Sequence, residues 1–382
     1  LYDTIFSEKK VWNKLSRKYE KHYIKDMEKI GVNSVNKYSR ATSNIKEMIS
    51  QVERLLNKGY AYKINDGIYF DISKFPRYGK LAGRTLIQAE DAVSRIDSSK
   101  EKRNKGDFCL WKFSKPNEPS WKNPFGKVGR PGWHIEDTAI TEKYFGQQYD
   151  IHGGAIELIF PHHEAEVAQM ESLSNKGPFV KYWLHTGILN VNNRKMSKSL
   201  GNFITIKDIL KKYDAKTIRF FFASSHYRSN IDFSEELIQN ASQALKRIQN
   251  FYTRLRYSNN KESANIKIDI YKKEFFSYMD NDFNTPSAFS VIFDMIKYLH
   301  KIDISTKDAR SVLSFLEEID SIFNILEKKE VKIPKNIWLL IEAREKARKQ
   351  EFWKQADEIR RKILEKGYII EDTEHGPLII SQ

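Results

Sequence analysis

The residues from about 128 to 205 constrain the fold of this chain more than any other stretch. Two strand-like pieces, Gln148–His152 and Trp183–Val191, lie on either side of a predicted helix from about 162 to 174. Strand, helix and strand in this order are typical of a parallel pair of strands joined by a right-handed crossover. The fold class that follows is α/β, with a nearly all-helical region from about 206 to Lys366.

Upstream of this stretch, the sequence predicts helices followed by a small inserted domain. Residues 8–60 are charged and carry apolar residues three and four positions apart, as amphipathic helices do. Residues 60–73 alternate in polarity around Asp66-Gly67, which predicts a hairpin. Residues 74–130 are polar and contain a basic run, so we expect a loop-rich insertion there.

Charge and cysteine content narrow the class of protein. Lysine and arginine number 65 and aspartate and glutamate 50, which gives a net charge of +15. Such a field favours a polyanionic partner such as nucleic acid, or anionic lipid, although a lysine-rich background with a solvated surface has the same composition. The single cysteine, Cys109, excludes a disulfide scaffold and a cysteine-rich metal site. No apolar run approaches the roughly 18–20 residues of a membrane span.

The most specific motif is a lysine-serine pentapeptide between a predicted strand and a predicted helix. It reads Lys195, Met196, Ser197, Lys198 and Ser199, and Leu200, Gly201 and Asn202 follow it. Two lysines flanked by small hydroxyl side chains can clamp a polyphosphate and offset the charge that develops as pyrophosphate leaves. The alternative is a solvated turn.

Several motifs resemble one family. The pentapeptide resembles the signature loop of class I aminoacyl-tRNA synthetases, and its surroundings resemble the cysteinyl-tRNA synthetase family. The similar segments are Gly129–Glu136, Asp150–Gly154, Phe160–Glu166, Ala356–Arg360 and Glu371–Thr373, with Gly367. The resemblance implies a Rossmann-like catalytic domain, of which the second half is present, with an inserted connective domain and then an all-α anticodon-binding bundle.

The resemblance also sets the domain boundaries that we expect. They are 1–60 for a helical part, 61–127 for the inserted connective domain, 128–205 for the second half of the catalytic domain with the signature loop, 206–240 for a connecting helical region, 241–330 for the helical bundle and 331–382 for a C-terminal tRNA-binding region.

For the nucleotide, the resemblance implies roles for the loop and for one strand end. Lys198 would bind the ATP phosphates and Lys195 would assist it, with Met196, Ser197 and Ser199 completing the loop. The ATP-binding strand end would be His152, Gly153 and Gly154, where glycines allow adenosine to approach closely. Glu157 would bind a ribose hydroxyl, or else it is a carboxylate that begins a helix.

A metal site is indicated by residue spacing and is implied more fully by the resemblance. His162 and Glu166 are four residues apart and share a helical face, so they are suited to zinc or to an ordinary polar cluster. In the family the same pair binds one zinc ion together with two cysteines. Here Asp137 stands at one cysteine position, and carboxylate is an accepted zinc ligand. The ligand set within this chain is therefore expected to be incomplete.

The resemblance implies two walls for the cysteine pocket and a missing first half. Trp133 and His152 would line the pocket, or else they form a buried aromatic–imidazole contact. No His-Ile-Gly-His motif occurs, and the chain begins at Leu1. We therefore expect a truncated chain, or a naturally shortened relative, that makes no adenylate by itself.

RNA contacts are expected in the helical region. Basic and aromatic residues interleave there, where phosphate contacts and base stacking would bind tRNA, although single members are also suited to a bundle core or a solvated face. The candidates are Arg247, Tyr252, Arg254, Arg256 and Tyr257, then Arg344, Arg348, Arg360 and Arg361.

The function implied is ATP-dependent activation of L-cysteine to cysteinyl-adenylate and its transfer to tRNA(Cys). The expected partners are tRNA(Cys), L-cysteine and ATP with Mg²⁺, in a cytoplasmic monomer without membrane contact. One alternative is a related ligase that joins cysteine to an amino sugar, although the long helical region after Ser234 argues against it. The other is a non-catalytic tRNA-binding relative.

Overall fold

A computed structural model describes residues 9–84, 88, 99–256, 266–302, 304–328, 334–373 and 376–381. The chain forms two compact units. The first comprises Leu1–Ile188 with Arg228–Asn230, and the second comprises Leu189–Tyr227 with Ile231–Gln382. This division falls inside the expected 128–205 segment, and the expected domain boundaries remain predictions.

The first unit begins with two helices rather than a continuous helical stretch. Helix α1 spans Lys9–Lys29 and helix α2 spans Ile45–Asn57. Helix α1 ends just before Gly31, which has a left-handed conformation with φ of +76°. Glycine adopts this conformation easily, and it commonly ends helices. Helix α2 buries Met48, Val52 and Leu55, whose spacing places them on one face.

A four-stranded antiparallel sheet follows, in the order β1-β2-β3-β4. The strands are β1 (Ala61–Ile64), β2 (Gly67–Phe70), β3 (Phe108–Phe113) and β4 (Gly129–Pro131). The predicted hairpin is confirmed, but Gly67 already pairs with Ile64, so the turn residues are Asn65 and Asp66. Strand β3 lies in the segment that we expected to be loop-rich. Its side chains are almost all buried, including that of Cys109, which packs with Tyr62 and Tyr69.

The predicted strand–helix–strand unit is present and its strands are parallel. Helix α3 (Trp133–Phe145) leads to β5 (Tyr149–Ala155), α4 (Glu164–Ser174) and β6 (Val180–Thr186). Helix α4 begins two residues later than expected, because a wider turn spans Ile159–His163, within which Phe160 has extended backbone angles. The expected second strand ends at Thr186 and does not continue to Val191.

The second unit opens with a small sheet in the order β8-β7-β9. Strand β7 (Leu189–Val191) pairs antiparallel with β8 (Arg194–Lys195) and parallel with β9 (Ile231–Phe233). Asn192 and Asn193 connect β7 to β8 with φ values of +50° and +59°. Asparagine tolerates this left-handed geometry, which tight hairpin turns require.

Most of the second unit is a helical bundle around one core. Its helices are α5 (Ile206–Ile209), α6 (Ala215–Ala223), α7 (Glu235–Arg256), α8 (Ile268–Asp280), α9 (Thr285–Leu299) and α10 (Thr306–Phe323). The side chains of Asp214, Asn284 and Ser305 accept backbone N–H groups and so fix the starts of α6, α9 and α10. The core includes Phe251, Phe275, Met295 and Phe315.

The C-terminal segment has a separate small core and includes a hairpin. Helices α11 (Lys335–Lys349) and α12 (Trp353–Glu365) precede β10 (Tyr368–Thr373) and β11 (Gly376–Ser381), which pair antiparallel. The small core consists of Ile337, Ile341, Ile359, Ile363, Ile370 and Ile379. Across the ranges that the structure describes, no helix has the length and apolar character needed to span a bilayer.

Candidate functional site

Five histidines that are close together in sequence form one cluster of rings in the first unit. His134 lies at the start of α3, His162 and His163 precede α4, His152 lies on β5 and His185 on β6. Trp133 stacks on His162, and Trp183 stacks on His152 and lies against His163. Imidazole and indole rings from four parts of the chain therefore pack together in one cluster.

The three predicted metal ligands meet within this cluster. Nε2 of His162 lies 3.0 Å from Oδ2 of Asp137 and 3.0 Å from Oε1 of Glu166. One ligand atom from each residue lies within 4.8 Å of the others. Glu166 is fully buried, and among the described residues neither of its oxygens has a well-aligned hydrogen-bond donor. A buried carboxylate left in this state fits a bound cation, and two carboxylates with one imidazole are an acceptable zinc donor set.

The electrostatics of the group agree with this geometry. Burial by itself lowers the pKa of His162, but the adjacent carboxylates of Asp137 and Glu166 outweigh it and raise the pKa to about 9. Burial raises the pKa of Glu166 to about 7. The raised pKa of Glu166 reflects the cost of burying its charged form, a cost that a cation bound beside the carboxylate would lower.

His134 and Trp133 determine the orientation of His162. Nδ1 of His162 lies 2.9 Å from Nδ1 of His134, whose pKa is lowered by burial to about 3. His134 is therefore neutral, and its Nδ1 accepts a hydrogen bond from the Nδ1–H of His162. The Nε2 atom of His162 then faces the carboxylates. The indole of Trp133 covers the imidazole at 4.2 Å with a 12° tilt and remains 55% exposed.

The strand end next to this group is also well ordered by its neighbours. Nδ1 of His152 lies 2.5 Å from the Tyr149 hydroxyl and 3.6 Å from Oε2 of Glu166. Burial lowers the pKa of His152 to about 4, so its ring is neutral. Gly153 and Gly154 follow His152 in β5, which ends at Ala155, and Glu157 is exposed in the first turn of the short helix Ile156–Leu158.

The signature loop lies in the second unit, directly after β8. Lys195 ends the strand, and Lys198 is exposed with its ammonium 5.8 Å from the Phe203 ring centroid. The backbone N–H of Met196 donates to the Leu189 carbonyl. The hydroxyls of Ser197 and Ser199 are 3.1 Å apart, so the pentapeptide is compact and presents both lysines at the surface.

The structure brings together part of the predicted site and adds residues that were not predicted. Asp137, His162 and Glu166 meet beneath Trp133 and beside His152, whereas the signature loop is ordered within its own unit. The added neighbours are His134, His163, His185, Tyr149 and Trp183. For the three histidines, the sequence signal is that five of the nine histidines lie between residues 128 and 205.

The predicted RNA contacts divide into exposed and buried residues. Arg247 and Arg361 are exposed, but Tyr252 is a core residue whose hydroxyl donates to Glu317. The expectation for Arg344 is corrected: it is buried and donates to both carboxylate oxygens of Asp372 at 2.7 Å. Its guanidinium therefore binds Asp372 and is not exposed to bind RNA. Tyr257 lies outside the described residues.

Comparison with known proteins gives the family. Residues 3–243 match the family "tRNA synthetases class I (C) catalytic domain", and residues 274–327 match the DALR domain. The chain is 40% identical to the cysteine–tRNA ligase of Thermodesulfovibrio yellowstonii over 94% of this chain and 80% of that protein. It is 42% identical to the cysteine–tRNA ligase of Thermoplasma volcanium over 94% and 79%, respectively.

A solved structure shows the same fold at low sequence identity. The methionyl-tRNA synthetase of Mycobacterium tuberculosis, bound by methionyl-adenylate, matches with a TM-score of 0.55 and 13% identity over 86% of this chain and 72% of that chain. The mixed α/β part followed by helices is thus the class I synthetase arrangement of catalytic domain and DALR helical domain. With two curated relatives at 40% identity or more over nearly its whole length, this chain belongs to the cysteine–tRNA ligase family of class I aminoacyl-tRNA synthetases.

Proposed function

We propose that this protein activates L-cysteine with ATP and Mg²⁺ and transfers the cysteine to tRNA(Cys). The observation that carries the proposal is identity of 40% or more to cysteine–tRNA ligases over 94% of the chain. The exposed signature lysines and the converging Asp137, His162 and Glu166, of which the latter two are buried, support it, because they would supply a phosphate clamp and a discriminating pocket. A cytoplasmic monomer remains the expected form.

The first step joins the cysteine carboxylate to the α-phosphorus of ATP and breaks the bond to the bridging oxygen, so that pyrophosphate leaves. The step needs alignment and charge stabilisation more than proton transfer. Lys198, assisted by Lys195, would bind the phosphates and stabilise the charge on the leaving group. Met196, Ser197 and Ser199 would hold the two lysines in one compact loop.

Adenosine would lie against the strand end of His152, Gly153 and Gly154. In the described part of the chain, the place of a side chain at Gly153 is approached by one atom beyond its chain neighbours, the Leu184 carbonyl oxygen at 3.8 Å, so a flat base would be able to approach the backbone there. Glu157 is exposed and would bind a ribose hydroxyl. In the second step, a hydroxyl of the terminal adenosine of tRNA attacks the cysteinyl carbonyl and AMP leaves.

A zinc ion would be held by Asp137, His162 and Glu166, and a fourth donor would complete a tetrahedral set. When bound, zinc supplies a Lewis acid that prefers the thiolate of cysteine to the hydroxyl of serine. Trp133 and His152 would form the walls of the pocket and exclude water. His134 would keep Nε2 of His162 directed at the ion by accepting from Nδ1.

The tRNA would bind the basic helical parts of the second unit. Phosphate contacts from exposed residues such as Arg247 and Arg361 would make the affinity depend on salt. The net charge of +15 is consistent with this partner, since the summed field attracts a polyanion.

Cysteine-dependent exchange of pyrophosphate into ATP, measured in the full-length gene product, tests the proposal. We expect Lys198→Ala to slow exchange by about 10²–10³-fold because it removes charge stabilisation of the transition state. Lys207→Ala, which removes an exposed lysine outside the loop, is the matched control and should catalyse pyrophosphate exchange at the wild-type rate. Binding of tRNA(Cys) should be unchanged in both variants.

Three outcomes would contradict the proposal. Equal exchange in Lys198→Ala and Lys207→Ala would remove the assigned role of the loop. Charging of an amino sugar in place of tRNA would identify the related ligase. Binding of tRNA without any exchange in the full-length product would identify a non-catalytic relative.

A further inference from the structure

The residues after the signature pentapeptide have no role in the proposed function, yet one of them binds the loop at two points. The side-chain Nδ2 of Asn202 donates to the carbonyl of Lys195 at 3.1 Å. Its Oδ1 accepts the backbone N–H of Ser197 at 2.9 Å. One amide thus joins the first residue of the pentapeptide to the third.

The local backbone explains how Asn202 reaches back to Lys195. The N–H of Gly201 donates to the Lys198 carbonyl at 3.2 Å, and Gly201 has a φ of +68°. This tight turn reverses the chain, and glycine adopts its left-handed geometry at no steric cost. The hydroxyl of Ser197 also accepts the N–H of Leu200 at 3.3 Å. The turn therefore returns the chain to the point at which it left β8.

A side-chain amide is well suited to make both contacts at once, because its donor and its acceptor are separate atoms. Asparagine and glutamine carry a donor and an acceptor on one planar group, whereas a carboxylate only accepts and a hydrophobic side chain does neither. Asparagine is also the shorter of the two, which suits a loop of five residues. Phe203 follows directly, and its ring lies 5.8 Å from the ammonium of Lys198. The same short segment thus contacts the loop backbone and the second lysine.

We propose that Asn202 is a positioning residue that holds the signature loop in one conformation before phosphate arrives. The proposal rests on the proposed function, because it assumes that Lys195 and Lys198 bind the ATP phosphates. A loop that is already ordered loses less conformational freedom when a ligand binds, so the affinity for the ligand rises. Asn202 acts through the backbone of the two lysine-bearing segments and makes no contact with substrate.

The test compares hydrogen exchange and kinetics in Asn202→Ala and Asn202→Asp. Alanine removes both contacts, and aspartate keeps the acceptor for Ser197 but cannot donate to Lys195. We expect the Ser197 amide to exchange about tenfold faster in Asn202→Ala and at the wild-type rate in Asn202→Asp, as loss of one hydrogen bond implies. Amides of α6 should exchange at the same rate in all three proteins.

The kinetic arm separates a positioning role from a merely structural one. In pyrophosphate exchange we expect the KM for ATP to rise about three- to tenfold in Asn202→Ala and Asn202→Asp, with the KM for cysteine and the melting temperature unchanged. Asn193→Asp is the control for the added negative charge, because it lies on the same hairpin and does not touch the loop contacts. It should leave the KM for ATP near the wild-type value.

The outcomes distinguish failure of this inference from failure of the proposed function. Unchanged exchange at Ser197 together with an unchanged KM for ATP in Asn202→Ala would overturn the positioning role. So would equal rises in both KM values with a lower melting temperature, which would indicate general destabilisation. If instead Lys198→Ala leaves exchange of pyrophosphate intact, the assigned loop function itself fails, whatever Asn202 does.

Discussion

The imidazole ring of His163 occupies the space into which a side chain at Gly154 would project. A Cβ atom at position 154 would lie 2.6 Å from Cε1 and 3.0 Å from Nε2 of that ring. Among the described residues outside its chain neighbours, a Cβ atom at position 153 would meet the Leu184 carbonyl oxygen alone, at 3.8 Å. The two neighbouring glycines therefore differ: the packing of the histidine cluster excludes a side chain at position 154, while a Cβ atom at position 153 would make only an ordinary van der Waals contact with the described residues.

This difference predicts that two matched substitutions will affect stability to different extents. Gly154→Ala should lower the free energy of unfolding by about 1–3 kcal/mol, because the added methyl group overpacks a closed site. Gly153→Ala should change it by less than about 0.5 kcal/mol and should instead raise the KM for ATP. Urea denaturation of the two variants measures the first effect. Equal destabilisation by both changes would contradict the assignment.

A second prediction concerns the metal. Asp137→Ala should lower zinc affinity at least about tenfold, since it removes one of three converging donors. Asp137→Cys should raise the affinity, because a thiolate is a softer ligand than a carboxylate. The measurement is zinc content after dialysis against a graded series of chelator concentrations. Asp150→Ala, which removes an exposed carboxylate paired with Lys181, is the control and should retain zinc as the wild type does.

Retention of zinc by Asp137→Ala at the same chelator concentration as Asp150→Ala would contradict the ligand assignment. Absence of stoichiometric zinc from the full-length wild-type protein would contradict the site as a whole.

Local periodicity in the sequence predicted the elements that carry the site, and long-range pairing explains what it missed. The hairpin of β1 and β2 and the unit of β5, α4 and β6 follow from the polarity pattern of each element and the order of the elements along the chain. Strand β3 was missed because its apolar side chains lie inside a polar, basic segment, and its partner β2 is distant in sequence.

The site shows the same limit. The spacing of His162 and Glu166 predicted that they would meet, because four residues span one helical turn. The prediction that Asp137 joins them depended on the family resemblance, because tertiary packing brings α3 next to α4. The contact between His134 and His162 arises from that packing as well, and no local pattern indicates it.

A third prediction follows from the separate core of the C-terminal segment. Because the isoleucines of α11, α12 and the terminal hairpin form their own cluster, removal of residues 331–382 should leave the bundle folded. We expect tRNA(Cys) affinity to fall about tenfold or more, as the loss of several phosphate contacts implies, while pyrophosphate exchange stays at the level of the untruncated protein. Binding is measured by filter retention at fixed salt. Equal losses of binding and exchange would indicate misfolding instead.

A fourth prediction concerns Arg344, whose guanidinium is buried against Asp372. Arg344→Ala should lower the free energy of unfolding of the C-terminal segment by about 1–3 kcal/mol; this is less than for a fully buried pair, because water reaches the Asp372 side chain. Arg348 contacts the same carboxylate but is more exposed, so Arg348→Ala should cost less. Thermal unfolding monitored by hydrogen exchange of α11 distinguishes the two. A larger loss in Arg348→Ala would contradict the ranking.

The same ion pair makes a testable contribution to acid stability. Hydrogen bonds from Arg344, with the nearby Arg348, lower the pKa of Asp372 below its unfolded value. A group whose folded pKa is lowered stabilises the protein above its unfolded pKa, here about 3.9, and this contribution is lost as the pH falls through the folded pKa. The difference in melting temperature between wild type and Asp372→Asn should therefore be constant from about pH 5 to 7 and should shrink below about pH 4. Other carboxylates titrate in both proteins and cancel in the comparison, so a difference that persists undiminished at low pH would show that Asp372 stabilises the segment by some means other than its charge.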